Sequence, residues 1–392
     1  MKISIVMKVA SIKTRNLVSS FLHSLRTNSF FSIARRKLMT PTLMSLDLHT
    51  SVSRDLIEPL RACGIEMDRW TISASSHLFH EANLRTAHIR GSNWRRLNPD
   101  VVSKFQARYK DSLRNYMGFV VTYTFSFLQI FESLQKPILA VNATRYESPY
   151  SLQQDRFNSL NQTIQKLDRL DLLTVVSNNL GDKDYLKILA NIESVYIPNL
   201  CDYVPRHNPQ DRPWIIQSRN PELANLIASQ VANSVTQENL FPIGFTHQEF
   251  SKHAGVILIP YNISTMRLFE LTTAGFPVRI PSDRLLKEWA VHPGVLSELS
   301  WLQVFDAECP PWLQNTPADP YWVDFLEWWL ARADWNNRFY FPNVTRFDSI
   351  SELNSAPTPF SQKEIEIRNQ EIRAKWAAVT SSFAGKIARM SS

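Results

Sequence analysis

Nine short segments of the chain carry apolar residues in runs with little helical spacing, and they read as strands: residues 43–48, 69–72, 118–123, 137–141, 172–176, 195–197, 214–217, 256–259 and 278–280. The clearest, 256–259, is a continuous apolar run of four, the pattern of a strand covered on both faces of a parallel sheet. Apolar residues recur at helical spacing in residues 53–63 ahead of Gly64, in 127–135, in 183–190 and in 265–274. Strand and helix alternate, which predicts an α/β fold built on parallel sheets. Residues 203–213 hold three prolines and no apolar period, so they read as a linker between two domains. Residues 310–346 are dense in Trp, Pro and Phe without a readable period. Residues 362–389 predict a final helix with Ile365, Ile367, Ile372, Trp376 and Val379 on or near one face.

The most informative stretch is GVILIPYNISTMRLFELTTAGFPVRIP, residues 255–281, which predicts strand, tight loop, helix, glycine stop and second strand. Ser264 is the expected N-cap, and Gly275 with Pro277 closes the helix. Backbone N–H groups at a helix N-terminus attract phosphate, so Ser264 and Thr265 stand where a nucleotide diphosphate would be held. Glu270, about one and a half turns further on, suits the hydroxyls of a ribose. Arg267, three residues from each, is positioned to reach phosphate or to pair with Glu270. The plainer reading is a βαβ unit with an ordinary cap and a solvated glutamate.

Composition sets the outer bounds. A chain of 392 residues with 44% hydrophobic content, 22 Phe, 11 Trp and only 9 Gly is long enough for two packed domains and argues against low complexity. Cys63, Cys201 and Cys309 are odd in number and widely spaced, so they indicate neither a disulfide framework nor a metal site. A reducing, cytoplasmic setting fits them. The net charge of +7 is uneven: residues 1–46 hold eight Lys or Arg and no acid, leaving the remainder nearly neutral. That basic leader, interleaved with Phe21, Leu22, Phe30 and Phe31, is expected to be disordered or loosely docked, with peripheral membrane contact as the next reading. No apolar run is long enough to span a bilayer. A basic tail without a reading module argues against nucleic-acid recognition.

In parallel sheets, ligand groups come from loops after the carboxyl ends of strands. Those loops carry Asp47, His49, Thr50 and Ser51; Tyr123 and Thr124; Asn142, Thr144, Arg145 and Glu147; Ser177, Asn178 and Asn179; then Ser218 and Arg219, and residues 261–265 with Tyr261, Asn262, Ser264 and Thr265. His49 is the one histidine among them and suits a base. Arg145 and Arg219 suit a pyrophosphate, since guanidinium forks match its oxygens.

Six quoted segments, in order, resemble the GT-B glycosyltransferases, particularly the retaining group of sucrose and glycogen synthases and many bacterial sugar transferases. DLHTSVSRDLIEPLRACG resembles the acceptor loop and first helix, KPILAVNATRYE the strand before the catalytic loop, and TVVSNNLGDKDYL a serine-bearing strand end. SVYIPNLCDY resembles the hinge strand, WIIQSR the strand that opens the nucleotide domain, and HQEFSKHAGVILIPYNISTMRLFELTTAGFPV the donor-binding segment. The family's paired glutamates are eight positions apart; Glu270 keeps the ribose-binding one and Asn262 replaces the other. Leu200 stands at the hinge glycine, and Asn142 where the catalytic-loop histidine falls.

The resemblance implies two Rossmann-like domains facing a cleft, with the last helix crossing back to the first domain. Residues 41–204 would form the acceptor domain, 205–360 the nucleotide-sugar domain and 361–392 the returning helix. It implies transfer of a sugar from a nucleotide sugar to a glycan, lipid or small-molecule acceptor. His49, Asn142 and Arg145 would be catalytic, and Arg219, Tyr261, Asn262, Ser264, Thr265, Arg267 and Glu270 would hold the donor. No metal or other cofactor is implied. A nucleotide-sugar epimerase or hydrolase of the same fold, and a noncatalytic binding or scaffold protein, are the alternatives.

Overall fold

In a computed structural model of the protein, residues 41–73 and 88–391 are described, with backbone only at residue 391. The basic leader expected over residues 1–40 lies outside the described residues.

The first domain runs β1 (Thr42–Asp47), α1 (Thr50–Arg54), α2 (Ile57–Ala62), β2 (Glu66–Thr71), α3 (Pro99–Asn115), β3 (Gly118–Tyr123), α4 (Leu128–Phe131), β4 (Ile138–Asn142), α5 (Gln154–Arg169), β5 (Leu173–Ser177), α6 (Leu180–Ala190) and β6 (Val195–Tyr196). Its strands pair in parallel in the order β2-β1-β3-β4-β5-β6. The strand interiors are apolar because helices cover both faces, and Leu43, Leu46, Val120, Val121, Leu139 and Val141 are fully buried. Each such side chain contributes about 1.5–3 kcal/mol of burial.

The second domain adds β7 (Trp214–Gln217), α7 (Pro221–Gln230), β8 (Ser234–Thr236), α8 (Gln237–Leu240), α9 (His247–Phe250), β9 (Val256–Leu258), α10 (Met266–Ala274), β10 (Val278–Pro281), α11 (Asp283–Trp289), α12 (Trp301–Phe305), α13 (Phe325–Leu330) and β11 (Val344–Phe347). Its sheet is also parallel, in the order β11-β10-β9-β7-β8. Counted within each domain, both sheets place their third strand beside the first and their second strand outside it. Each therefore reverses direction of winding once, between β1 and β3 and between β7 and β9.

The final helix α14 (Gln362–Ser391) crosses from the second domain to the first. Near its start, the side chain of Gln362 fills the space that a Cβ on Gly275 would need. Further along, Thr380 Oγ1 donates to the Pro59 carbonyl at 3.4 Å, and Lys386 Nζ donates to the Leu173 carbonyl at 3.0 Å. The domains also touch directly at Gly181, where a Cβ would overlap Ile263 and crowd Trp329. Glycine is required there by close approach, at the start of α6.

Most expected strands lie within a residue or two of those observed. The predicted helix over 53–63 is instead α1 and α2, and only Leu128–Phe131 of 127–135 is α-helical, with tight 3-10 turns at its ends. The segment without a readable period holds α13 and β11.

Candidate functional site in the cleft

The two reversal points face one another. The loop leaving β1 brings His49, the end of β3 brings Tyr123, and the loop after β4 brings Thr144 and Arg145. Loops leaving β7 and β9 bring Arg219 and then Tyr261, Asn262 and Ser264. Together with Met266, Arg267, Phe269, Glu298 and Trp301 they line a cavity of about 350 Å3. In open α/β sheets this is where ligands bind.

His49 precedes α1 and stacks on Tyr123 with ring centroids 5.9 Å apart. Tyr123 reaches this position with a left-handed backbone, φ 79°, rare for a residue with a bulky side chain. Burial pushes the Tyr123 phenol up to about 12. Burial also holds the His49 imidazole below its ordinary range, with the Glu270 charge pulling the other way. The ring is therefore neutral near pH 7, and its Nδ1 is buried with no hydrogen-bond partner among the described residues.

Arg145 is 4% exposed and joins the two domains. Its Nη1 donates to Asn262 Oδ1 at 3.1 Å and to the Leu299 carbonyl at 3.4 Å, while Nε lies 3.5 Å from Asp182 Oδ1. Its guanidinium also rests over the Trp329 ring, 5.2 Å from the centroid. Burial raises the Asp182 carboxyl, with the Arg145 charge pulling the other way. Below it, burial pushes Glu147 up to about 7, although Tyr185 and Ser151 donate to its Oε1 at 2.8 and 3.2 Å.

On the opposite wall Arg219 lies flat over Tyr261, 3.3 Å from the ring centroid, and pairs with Glu298. The expected N-cap at Ser264 is displaced by one residue. Thr265 caps α10, accepting from the Leu268 N–H at 3.3 Å, and Ser264 lines the cavity just before it. Both are hydroxyl residues, so the sequence did not distinguish them. Arg267 Nη1 donates to Glu270 Oε2 at 2.8 Å and stacks against Phe245 and Phe250.

Of the residues singled out from sequence, His49, Arg145, Arg219, Tyr261, Asn262, Ser264 and Arg267 line the cavity. Asn142 does not. It is fully buried at the end of β4, where its Nδ2 donates to the Asp182 carbonyl at 3.0 Å and ties β4 to α6. Thr265 points its hydroxyl into the helix as a cap, and Glu270 sits beside the cavity rather than in its wall. Glu298 and Trp301 were missed because they lie in a stretch without a strand to mark the loop. Tyr123 was named only as a loop position, and nothing in sequence signals its left-handed backbone. Among the described residues, no group of three or more His, Cys, Asp or Glu is arranged to hold a metal ion. No helix among them is long and apolar enough to cross a membrane.

No protein-family model matches the chain, and no curated protein matches it by sequence. Among solved structures it is similar to a glycotransferase of kitacinnamycin, at 11% identity and a TM-score of 0.40, over 89% of this chain and 98% of that one. It is also similar to the glycosyltransferase SnogD from Streptomyces nogalater, at 12% identity and a TM-score of 0.38, over 86% and 99% of the two chains. A third is the spinosyn rhamnosyltransferase SpnG complexed with thymidine diphosphate, at 11% identity and a TM-score of 0.38, over 89% and 96%. Two parallel α/β domains facing a cleft, with the last helix returning to the first, make the GT-B arrangement. The retaining group suggested by sequence is not specified by these likenesses.

Proposed function

We propose that the protein transfers a sugar from a nucleotide-sugar donor to an acceptor hydroxyl in the cleft between its domains. The observation that carries this reading is the charge of the cavity. Its lining holds three guanidiniums, those of Arg145, Arg219 and Arg267, against the single carboxylate of Glu298. Guanidiniums so gathered at two facing reversal points, each exchangeable from its carboxylate partner Asp182, Glu298 or Glu270, suit the diphosphate of a nucleotide sugar.

In this scheme the protein's work is positioning and charge stabilisation. Arg145, Arg219 and the first N–H groups of α10 hold the diphosphate and take up the charge that develops as it leaves. Glu270 accepts the ribose hydroxyls. His49, kept neutral by burial and lining the cavity, accepts the proton of the acceptor hydroxyl. The guanidiniums supply the countercharge that a metal gives in other transferases.

Thermal-shift screening against UDP, GDP, ADP, CMP and their sugar conjugates tests the reading. One nucleotide is expected to raise stability by about 2.7 kcal/mol at a hundred times its Kd. Glu270→Ala is expected to abolish that shift while circular dichroism shows a folded protein. No shift with any nucleotide overturns the reading. Incubating the donor with and without acceptor then separates transfer from hydrolysis or epimerisation.

A further inference from the structure

The carboxylate that the donor-site reading assigns to the ribose already has an occupant. Glu270 Oε1 accepts from the Tyr203 hydroxyl at 2.8 Å, and Oε2 accepts from Arg267 at 2.8 Å. Between Val204, Pro205, His247, Phe250 and Glu270 the free space is about 10 Å3, room for no more than one water. The arginine-lined cavity next to it holds about 350 Å3. The phosphate end of the site is open, and the sugar end is filled by the chain itself.

Tyr203 is held there from both domains. It follows β6 in the segment that links them, and Ser51 of α1 is hydrogen-bonded to its hydroxyl. Just before it, the buried carboxylate of Asp55 accepts from the Leu200 and Cys201 N–H groups at 2.6 and 3.0 Å. On the other side, Arg368 of α14 donates to the Asn199 carbonyl at 2.9 Å. The linker is thus anchored to the first domain and to the crossing helix, while the Tyr203 hydroxyl reaches into the second domain at Glu270. A chain of hydroxyls runs from Ser51 through Tyr203 to Glu270 across the back of the cleft.

We infer that Tyr203 is a resident stand-in for the ribose: its phenolic hydroxyl occupies Glu270 until a vicinal diol replaces it. A diol returns two O–H donors for the one displaced, so the exchange is favourable for a ribonucleotide and for little else. Tyr203 therefore sets the affinity of the site for the ribose end of its ligand, and its displacement breaks one of the linker's ties to α10, leaving those of Leu200 to Thr273 and of His207 to Ala274. This inference rests on the donor-site reading.

The test compares three proteins by isothermal titration: wild type, Tyr203→Phe and Ser51→Ala. The probes are the diphosphate found in the thermal-shift screen and inorganic pyrophosphate, which has no ribose. Tyr203→Phe keeps the ring, 5.8 Å from His247, and removes only the hydroxyl. It is expected to tighten nucleoside diphosphate binding about tenfold and to leave pyrophosphate unchanged. Ser51→Ala loosens the same chain without freeing Glu270 and is expected to change neither by more than about twofold. Tyr203→Leu, a second variant without the hydroxyl, is expected to act in the same direction as Tyr203→Phe. If wild type binds the nucleoside diphosphate and both Tyr203 variants bind it equally or more weakly, the inference is overturned while the donor-site reading stands. Parallel tightening of pyrophosphate also overturns it, since that marks general opening of the cleft. If no variant binds a nucleoside diphosphate, the donor-site reading fails and takes the inference with it.

Discussion

The cleft arginine of the first domain, Arg145, is buried and interlocked, whereas Arg219 of the second domain is exposed at the rim and more simply paired. Arg145 is 4% exposed and contacts Asn262, Asp182, Leu299 and Trp329, while the Arg219 side chain is 47% exposed and contacts Glu298 and Tyr261. The two sheets have the same strand order, so topology is not what separates them. The difference lies in what the loops rest on. The β4 loop lies against α6 and the second domain, and the β7 loop lies at the rim. The same residue type therefore has two duties: Arg145 holds the domains together as well as charging the cavity, and Arg219 is available to move with a ligand.

The strongest way to break this contrast is Arg145→Ala. Removing one partner of a buried pair costs about 3–5 kcal/mol, because the remaining charge has no solvent. Unfolding in urea at pH 8 is expected to show a loss of that size. The loss is expected to shrink at pH 5, since Asp182, already raised by burial, takes up a proton once its guanidinium is gone. A loss below about 1 kcal/mol at pH 8, the range of exposed pairs, would make Arg145 equivalent to Arg219 and remove the contrast.

Glu147 sharpens the comparison from beneath. Its carboxyl is raised from 4.5 to about 7, first by burial, so the folded state binds a proton that the unfolded state has released. Stability contributed by that proton is present at low pH and is lost as pH rises from about 4.5 through about 7. Glu147→Gln keeps an acceptor for Tyr185 and Ser151 and cannot ionise. The variant is expected to be more stable than wild type at pH 8 by on the order of 2–3 kcal/mol, with the gain vanishing near pH 4.5. Thermal unfolding across this range measures it, and equal pH slopes for the two proteins would contradict the assignment.

Legibility in the sequence followed the same divide. The second domain's site was readable because one local unit, residues 255–281, carries strand, loop, cap and helix in order. The first domain's site depends on contacts far apart in sequence. Nothing local shows that His49 stacks on Tyr123, that Asn142 turns inward to Asp182, or that Arg145 reaches a residue 117 positions away. Some of the fold was passed over despite a signal: α5 shows Phe157, Leu160, Ile164 and Leu167 at helical spacing, and Asn98 before Pro99 marks the start of α3. The cleft between two domains and the return of α14 came from resemblance, since apolar periodicity gives neither.

The smallest expected effect belongs to Arg219, and it completes the comparison. Its pair with Glu298 is half exposed, so Arg219→Ala is expected to change stability by less than about 1 kcal/mol. Its side chain nevertheless lines the cavity beside Tyr261, and a phosphate oxygen that takes the place of Glu298 would gain a charge-assisted contact. Loss of that contact is expected to weaken nucleoside diphosphate binding roughly tenfold while the melting temperature without ligand stays within about 2 °C of wild type. Titration calorimetry and thermal unfolding on the same variant separate the two quantities. Unchanged affinity would place the diphosphate on Arg145 and Arg267 alone and leave Arg219 a surface ion pair. A large fall in stability would show instead that the rim is as interlocked as the floor.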